Sequence, residues 1–255
     1  MARNSGVNMK KSISEIGTIY KQADIKMLPA FISEFEEDDR NGVKSLVSKA
    51  KKKLEDLEKE KQRMYEMFSY ERKYAKYEYI CGVDEVGCGP LAGPVVAAAV
   101  ILPKDCDLLY LNDSKKKKKN KREEIFDEIM AKAISVGIGF ASPERIDEIN
   151  IRQADFEAMR MALSKLSIEP DFILVDGYQI GGITKEQIAI VKGDSKSASI
   201  AAASIVAKVT RDRLMTQYDD VFPGYGFASN KGYGSKEHIQ AIQELGATPI
   251  HRKTF

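Results

Sequence analysis

The spacing of apolar residues changes along this 255-residue chain near residue 78. Before that point, apolar residues recur at alternating steps of three and four, with Lys61 in the one missing place, at Val47, Ala50, Leu54, Leu57, Met64 and Phe68. This spacing predicts an amphipathic helix over about residues 43–75. Ser12 followed by Glu15 predicts a capping box that opens a shorter helix. The apolar stripe is interpreted first as a face that packs on the chain's own catalytic domain, and a face for a protein or nucleic-acid partner stays open.

After residue 78, short apolar runs broken by Gly and Pro predict strands. These runs are YICGVDEV, PVVAAAVIL, AISVGIGF, DFILVDG and QIAIVKGD. The first two are close enough for an antiparallel pair, and the later ones alternate with helical patterns, as a mixed sheet requires. The helical patterns cover residues 120–132, 151–167, 196–218 and 235–245. We therefore predict an α/β domain over residues 78–255, preceded by a helical extension over residues 1–77.

Composition and charge narrow the class of protein. Hydrophobic residues make up 43% of the chain, which excludes global disorder. The 40 Lys and Arg against 38 Asp and Glu leave a net charge of +2, so any basic surface for nucleic acid must be local. The three cysteines form no Cys-x-x-Cys pair, which disfavours zinc and disulfide frameworks. With no apolar signal segment and no run long enough to span a membrane, we expect a soluble cytoplasmic protein.

Carboxylates are the strongest candidates for chemistry, because the two histidines lie in no metal-ligand spacing. Asp84 and Glu85 lie in the first strand, Asp176 ends the run FILV, and Asp194 follows IAIVKG. A single acid in an apolar run is more often a satisfied structural carboxylate. Several acids on neighbouring strands repel one another unless a cation neutralises them, and Mg²⁺ prefers such oxygen ligands. The acids thus predict metal-assisted phosphoryl chemistry.

A series of motifs resembles the ribonuclease HII family over about residues 78–255. In order along the chain, they are GVDEVGCGPLAGPVVAAAVIL, LNDSKK, DEIN, LVDG, VKGDSKSASIAAASIVAKVTRD, FPGYGFASNKGYGSKEH and TPIHRKTF. The resemblance implies a ribonuclease H-like mixed five-stranded sheet flanked by helices, with a helical C-terminal part. It implies that Asp84, Glu85, Asp176 and Asp194 are the catalytic and metal-binding acids.

The same resemblance implies a cofactor and a substrate. The cofactor would be Mg²⁺ or Mn²⁺, with two ions in the substrate complex. The enzyme would hydrolyse the RNA strand of RNA–DNA hybrids, incise at ribonucleotides within duplex DNA, and leave 5′-phosphate and 3′-hydroxyl ends. The N-terminal extension resembles that of ribonuclease HII from Bacillus-like bacteria, and a protein partner for it stays open.

Several residues are implied to contact the substrate. The Gly87-Cys88-Gly89 turn would approach the 2′-hydroxyl, and Tyr233 would pack on the adjacent sugar. The family normally has Arg where this chain has Cys88, and His where it has Asn230, which puts affinity and junction selectivity in question. Further candidates for phosphate contacts are Ser204, Lys208 and Arg211, which share a helix face, and Lys115 in a lysine run.

Two other functions stay open at this stage. Loss of the arginine at Cys88 would suit a nucleic-acid-binding protein with impaired catalysis. A different metal-dependent nuclease of the same fold, such as ribonuclease HIII or a junction resolvase, is the other alternative, although PLAGP after the first motif favours type HII.

Overall fold

The computed structural model describes residues 11–111 and 119–255. The chain divides into two compact units, Met1–Arg63 and Met64–Phe255. Within the described ranges, no helix is long and apolar enough to cross a membrane. The cytoplasmic location and the domain boundary after residue 77 stay predictions.

The N-terminal unit buries its apolar stripe against its own helices. Helix α1 spans Ile13–Gln22, α2 spans Leu28–Phe35 and α3 spans Asn41–Met67. The predicted capping box is present at the start of α1, where Ser12 and Glu15 exchange hydrogen bonds. The core of the N-terminal unit consists of Ile16, Leu28, Phe31, Phe35, Val43, Val47 and Ala50. We expected the stripe to pack on the catalytic domain, but its first half packs on α1 and α2. The apolar faces of α1 and α2 were not apparent from the spacing of residues in α3.

The predicted long helix is broken. It ends at Met67, and a short helix, α4, follows at Ser69–Lys73. Met64 and Met67 belong to the core of the second unit, together with residues of the central sheet. The prediction of one continuous helix to about residue 75 was therefore wrong, because the helix ends at Met67.

The second unit is built on a mixed sheet, as predicted. Within the described residues, five strands have the order β3-β2-β1-β4-β5. Their bounds are β1 Ile80–Val86, β2 Val95–Ile101, β3 Ser135–Ala141, β4 Phe172–Asp176 and β5 Gln187–Ile190. The β1–β2 and β2–β3 pairs are antiparallel, whereas β1–β4 and β4–β5 are parallel. The predicted ribonuclease H-like arrangement of strands is thus confirmed.

Helices cover both faces of this sheet. Their bounds are α5 Lys119–Lys132, α6 Pro143–Ile149, α7 Ile151–Ser164, α8 Ala198–Val221, α9 Phe227–Asn230 and α10 Lys236–Leu245. Apolar residues of α5 and α8 form one core with the sheet, and those of α6 and α7 form the other. The sequence did not predict α6 or α9. Asn150, at φ 68°, separates α6 from α7 and caps the latter through its side chain.

Strand β1 alternates its side chains between the two helical layers, as strand geometry requires. Val83 packs in the core with α7. Gly82 faces α8, and a Cβ at Gly82 would overlap the backbone of Ser199 and Ile200. Helix α8 can therefore lie directly on β1, because Gly82 has no side chain.

A side chain of the short helix α4 caps the N-terminus of α8. The Glu71 Oε1 atom, in α4, accepts hydrogen bonds from the Ser197 hydroxyl at 2.7 Å and the Ser199 amide at 2.9 Å. An acid at a helix N-terminus also interacts favourably with the helix dipole. Residues 64–77 thus contribute to the second unit through Glu71.

We predict that Gly82→Ala destabilises the second unit. The added methyl group forces α8 away from β1, and overpacking of this kind costs about 1–3 kcal/mol. Chemical denaturation measures the loss. Gly181→Ala is the control, since the nearest atom to its Cβ would be 3.9 Å away, an ordinary contact. Equal stabilities of the two variants would contradict the close packing of α8.

We also predict that Glu71→Ala lowers the free energy of unfolding by about 1–3 kcal/mol, because it removes charged hydrogen bonds at the α8 N-terminus. Glu78→Ala is the matched control. Glu78 pairs with Lys104 at the surface, where such pairs contribute at most about 1 kcal/mol. If both substitutions have the same effect on thermal denaturation, Glu71 does not stabilise the helix.

Candidate active site

Two of the predicted acids come together where parallel strands end. Val83 of β1 pairs with Val175 of β4, so the residues that follow, Asp84 and Asp176, lie at one level on one face of the sheet. That face is the one covered by α8. The parallel pairing therefore brings together acids that are 92 positions apart in the sequence.

Asp84 is a buried carboxylate with incomplete compensation. It is 5% exposed, and its Oδ1 accepts the Glu85 amide at 2.8 Å. Burial, and then the charges of Glu85 and Asp176, raise the pKa of Asp84 well above its ordinary value. The groups that lower this pKa are neutral donors, the Ser204 hydroxyl and the Glu85 amide. Among the described residues, no basic side chain contributes to lowering the pKa of Asp84.

A tight turn places the backbone just before Asp194 against Asp176. After β5, Lys192 adopts a left-handed conformation at φ 57°, and a short 3-10 helix spans Gly193–Ser195. The Gly193 amide donates to Asp176 Oδ1 at 2.6 Å. Asp194 is the next residue and is half-buried. The turn between β5 and α8 thus brings Gly193, the neighbour of Asp194 in the sequence, to the last residue of β4.

Glu85 points to the opposite layer, where sequence reasoning missed a neighbour. Ligand atoms of Glu85, Cys88 and Asp155 all lie within 4.8 Å of one another. Burial, and then the charge of Glu85, raise the pKa of Asp155 to about 8. Burial also raises the pKa of the Cys88 thiol, which keeps it protonated. The only sequence signal for Asp155 was an acid directly after Ala154 in the buried stripe of α7.

The acids suit a hard divalent cation. Buried carboxylates that raise one another's pKa are stabilised by a cation, and Mg²⁺ and Mn²⁺ accept carboxylate oxygens. Asp84 meets this condition directly, because its burial is offset by two neutral donors alone. The thiol of Cys88 lies 3.9 Å from Glu85 Oε1 and is the softer ligand in this region.

The Gly87–Gly89 turn and Tyr233 lie next to each other. Gly87 has φ 100°, and a Cβ there would overlap Arg211. A Cβ on Gly89 would lie 4.0 Å from the Tyr233 ring. Tyr233 is 42% exposed. Arg252 donates to the carbonyls of Gly87 and Cys88 from behind the turn. The turn is therefore fixed by buried arginine, with an exposed aromatic ring at its open side.

The α8 residues predicted to contact phosphate are used within the protein. Arg211 is fully buried and donates to the carbonyls of Ala92, Pro94 and Lys231. The interpretation of Arg211 as a phosphate contact is corrected: its guanidinium is buried and instead links the segment after the Gly87–Gly89 turn to Lys231.

The other predicted contacts differ among themselves. Ser204 is 6% exposed and bonds to Asp84, so it orients an acid. Lys208 is partly buried in an ion pair with Asp212 at 2.7 Å. Lys115 lies outside the described residues. Asn230, the second departure from the family pattern, bridges its own loop by donating to the Tyr225 carbonyl at 2.7 Å and accepting the Gly232 amide at 2.8 Å.

Comparisons with known proteins show which family the chain resembles. A family model described as Ribonuclease HII matches residues 81–255, and one described as Ribonuclease HII N-terminal domain matches residues 12–75. A protein named Ribonuclease HII from Lachnoclostridium phytofermentans is 61% identical over 218 residues, which cover 86% of each chain.

Solved structures give the same fold. The ribonuclease H2 of Pyrococcus horikoshii superposes with a TM-score of 0.61 at 27% identity, covering 70% of this chain and 94% of that one. The RNase HII in a PCNA:RNase HII complex from Archaeoglobus fulgidus has a TM-score of 0.60 at 28% identity, covering 70% and 95%. The chain belongs to the ribonuclease HII family of ribonuclease H enzymes.

Proposed function

We propose that the chain hydrolyses the RNA strand of RNA–DNA hybrids and incises at ribonucleotides embedded in duplex DNA, leaving 5′-phosphate and 3′-hydroxyl ends. The observation that carries the proposal is the position of Asp84. It is buried beside Glu85 and Asp176 where the parallel pairing of β1 and β4 ends, in a chain of the ribonuclease HII family. An acid cluster of this kind fits metal-dependent phosphodiester hydrolysis.

In this proposal Asp84, Glu85, Asp176 and Asp194 hold Mg²⁺ or Mn²⁺. Two bound ions would supply an activated water and stabilise the leaving oxygen. The protein's own part is to orient the carboxylates. Ser204 and the Glu85 amide fix Asp84, and the Gly193 amide fixes Asp176. We propose that residues 78–255 form the catalytic domain, to which Glu71 adds the cap of α8.

Discrimination between RNA and DNA is proposed for the Gly87–Gly89 turn and Tyr233. A protein distinguishes the two at a given position by the 2′-hydroxyl. The glycines allow the backbone to approach that group, and the exposed ring of Tyr233 is available to pack on the next sugar. The thiol of Cys88 adds no charge, so affinity at this point depends on the backbone and the ring. Lys208 and Lys115 stay candidate phosphate contacts.

We predict that Asp84→Asn abolishes nearly all cleavage of a duplex with one ribonucleotide, in Mg²⁺ and in Mn²⁺. In chelator, its melting temperature should equal or exceed that of the wild type. Because the pKa of Asp84 is raised, its ionised carboxylate destabilises the folded protein at pH values above the ordinary pKa of an aspartate. The amide of Asn carries no charge and removes this destabilisation. Added Mg²⁺ should raise the melting temperature of the wild type more than that of the variant.

Asp105→Asn, at an exposed position, is the control and should behave like the wild type. Turnover by Asp84→Asn at the wild-type rate would remove the basis for the metal cluster. If the wild-type chain binds the duplex but never cuts it, the alternative of a nucleic-acid-binding protein is favoured.

We predict that Tyr233→Ala reduces single-turnover cleavage of a single-ribonucleotide duplex more than cleavage of a uniform RNA–DNA hybrid. Loss of an aromatic contact to a nucleotide costs about 1–3 kcal/mol, and a uniform hybrid lacks the junction at most registers. Tyr65→Ala, another exposed tyrosine, is the control. An equal fractional loss on both substrates would assign Tyr233 to general binding instead of junction recognition.

A further inference from the structure

Two buried histidines face each other in the C-terminal part of the second unit. His238 Nε2 and His251 Nε2 are 3.0 Å apart. His238 is fully buried and His251 is 8% exposed. A hydrogen bond between two imidazole nitrogens requires one proton between them, so one ring donates and the other accepts.

The surrounding contacts decide which ring donates. The Thr248 amide donates to His251 Nδ1 at 2.8 Å, so that nitrogen carries no proton. The neutral ring of His251 then has its proton on Nε2, which donates to His238 Nε2. The remaining proton of His238 lies on Nδ1, 2.8 Å from the Tyr233 carbonyl. The result is a directed chain of hydrogen bonds from the Thr248 backbone to the Tyr233 backbone.

Aromatic packing holds both rings in this arrangement. The ring centroid of Phe227 lies 5.2 Å from that of His238 and 5.7 Å from that of His251. The Tyr225 ring stacks on Phe227 and lies 5.3 Å from His251. Because neither histidine can turn without displacing these rings, the distance from Thr248 to Tyr233 is fixed.

The same short segment also reaches the Gly87–Gly89 turn. Arg252, next to His251, is 4% exposed. Its guanidinium donates to the carbonyls of Gly87, Cys88 and Gly93. Its own amide donates to the Leu91 carbonyl at 2.9 Å. Residues 248–252 therefore bond to both sides of the surface that the turn and Tyr233 share.

We infer that residues 248–252 form a specificity-determining brace, in which His238 and His251 are positioning residues that hold Tyr233 at a fixed distance from the Gly87–Gly89 turn. The inference rests on the proposed function, since it assigns the origin of junction selectivity. The histidines touch neither the acids nor the substrate in this role. They act through the Tyr233 backbone, and Arg252 acts through the turn.

The brace should affect one substrate more than the other. A displacement of about 1 Å between reacting groups can reduce a rate about a hundredfold. On a duplex with one ribonucleotide, the single junction must fit between the turn and Tyr233. A uniform hybrid offers many registers, so loss of the brace should matter less there.

The test uses the full-length chain and two substitutions. His251→Asn keeps an acceptor for the Thr248 amide but removes the donor to His238. His238→Phe keeps a ring of similar size and removes the side-chain donor to the Tyr233 carbonyl, which then keeps only the Ser235 amide at 2.8 Å. Asp147→Ala is the matched control, because Asp147 accepts the Lys253 and Thr254 amides just beyond the brace. Thermal denaturation establishes that each variant folds.

Two readouts are measured. Single-turnover rates at saturating enzyme should fall about tenfold more on the single-ribonucleotide duplex than on the uniform hybrid for either histidine variant. Asp147→Ala should change both rates equally, by less than about twofold. Amide hydrogen exchange without substrate should speed up at residues 231–235 in the histidine variants and not in Asp147→Ala.

The outcomes separate this inference from the proposed function. Equal fractional losses on the two substrates, or unchanged exchange at residues 231–235, overturn the brace while leaving the nuclease intact. If the wild type cuts neither substrate in Mg²⁺ or Mn²⁺, the proposed function fails and the selectivity role fails with it. If His238→Phe does not fold, His251→Asn decides the question alone.

Discussion

The burial of Asp84 within the central strand is the constraint on which the rest of this structure depends. A carboxylate that is 5% exposed, with two further acids nearby, is costly in a folded protein. Part of the compensation comes from α8, whose Ser204 bonds to Asp84. That bond requires the helix to lie directly on β1, which Gly82 permits. The Glu71 cap at the N-terminus of α8 stabilises the same helix. The remaining electrostatic cost is the reason that a divalent cation fits here.

Charge is arranged in the opposite sense behind the Gly87–Gly89 turn. Arg211 and Arg252 are both buried. Arg252 holds the turn in place through the carbonyls of Gly87 and Cys88, and Arg211 bonds to the carbonyls of Ala92 and Pro94 just beyond it. Burial, and then the charge of Arg211, lower the pKa of Arg252 to about 10, at which it still carries its proton at neutral pH. Two positive charges thus lie beneath a turn whose own side chain, Cys88, contributes none.

Strand and helix patterns made the sheet predictable. Alternation and short apolar runs identified the strands, because runs of this length bounded by Gly and Pro favour strands over helices. The capping box at Ser12 was equally local, and it is present. The break in the long helix at Phe68 and the helix α6 were not predicted, since periodicity continues through a local break and a seven-residue helix gives little periodic signal.

The sequence by itself determined the strand and helix types, the family and the identity of the candidate acids, because these depend on local pattern and on motifs. Tertiary structure decided which of those residues meet. The parallel register of β1 and β4 joins Asp84 to Asp176, and the alternation of β1 sends Glu85 to Asp155 on the far layer. It also turned Arg211 inward and linked His238 to His251. Such outcomes depend on the packing of elements distant in sequence, and no spacing along the chain encodes them.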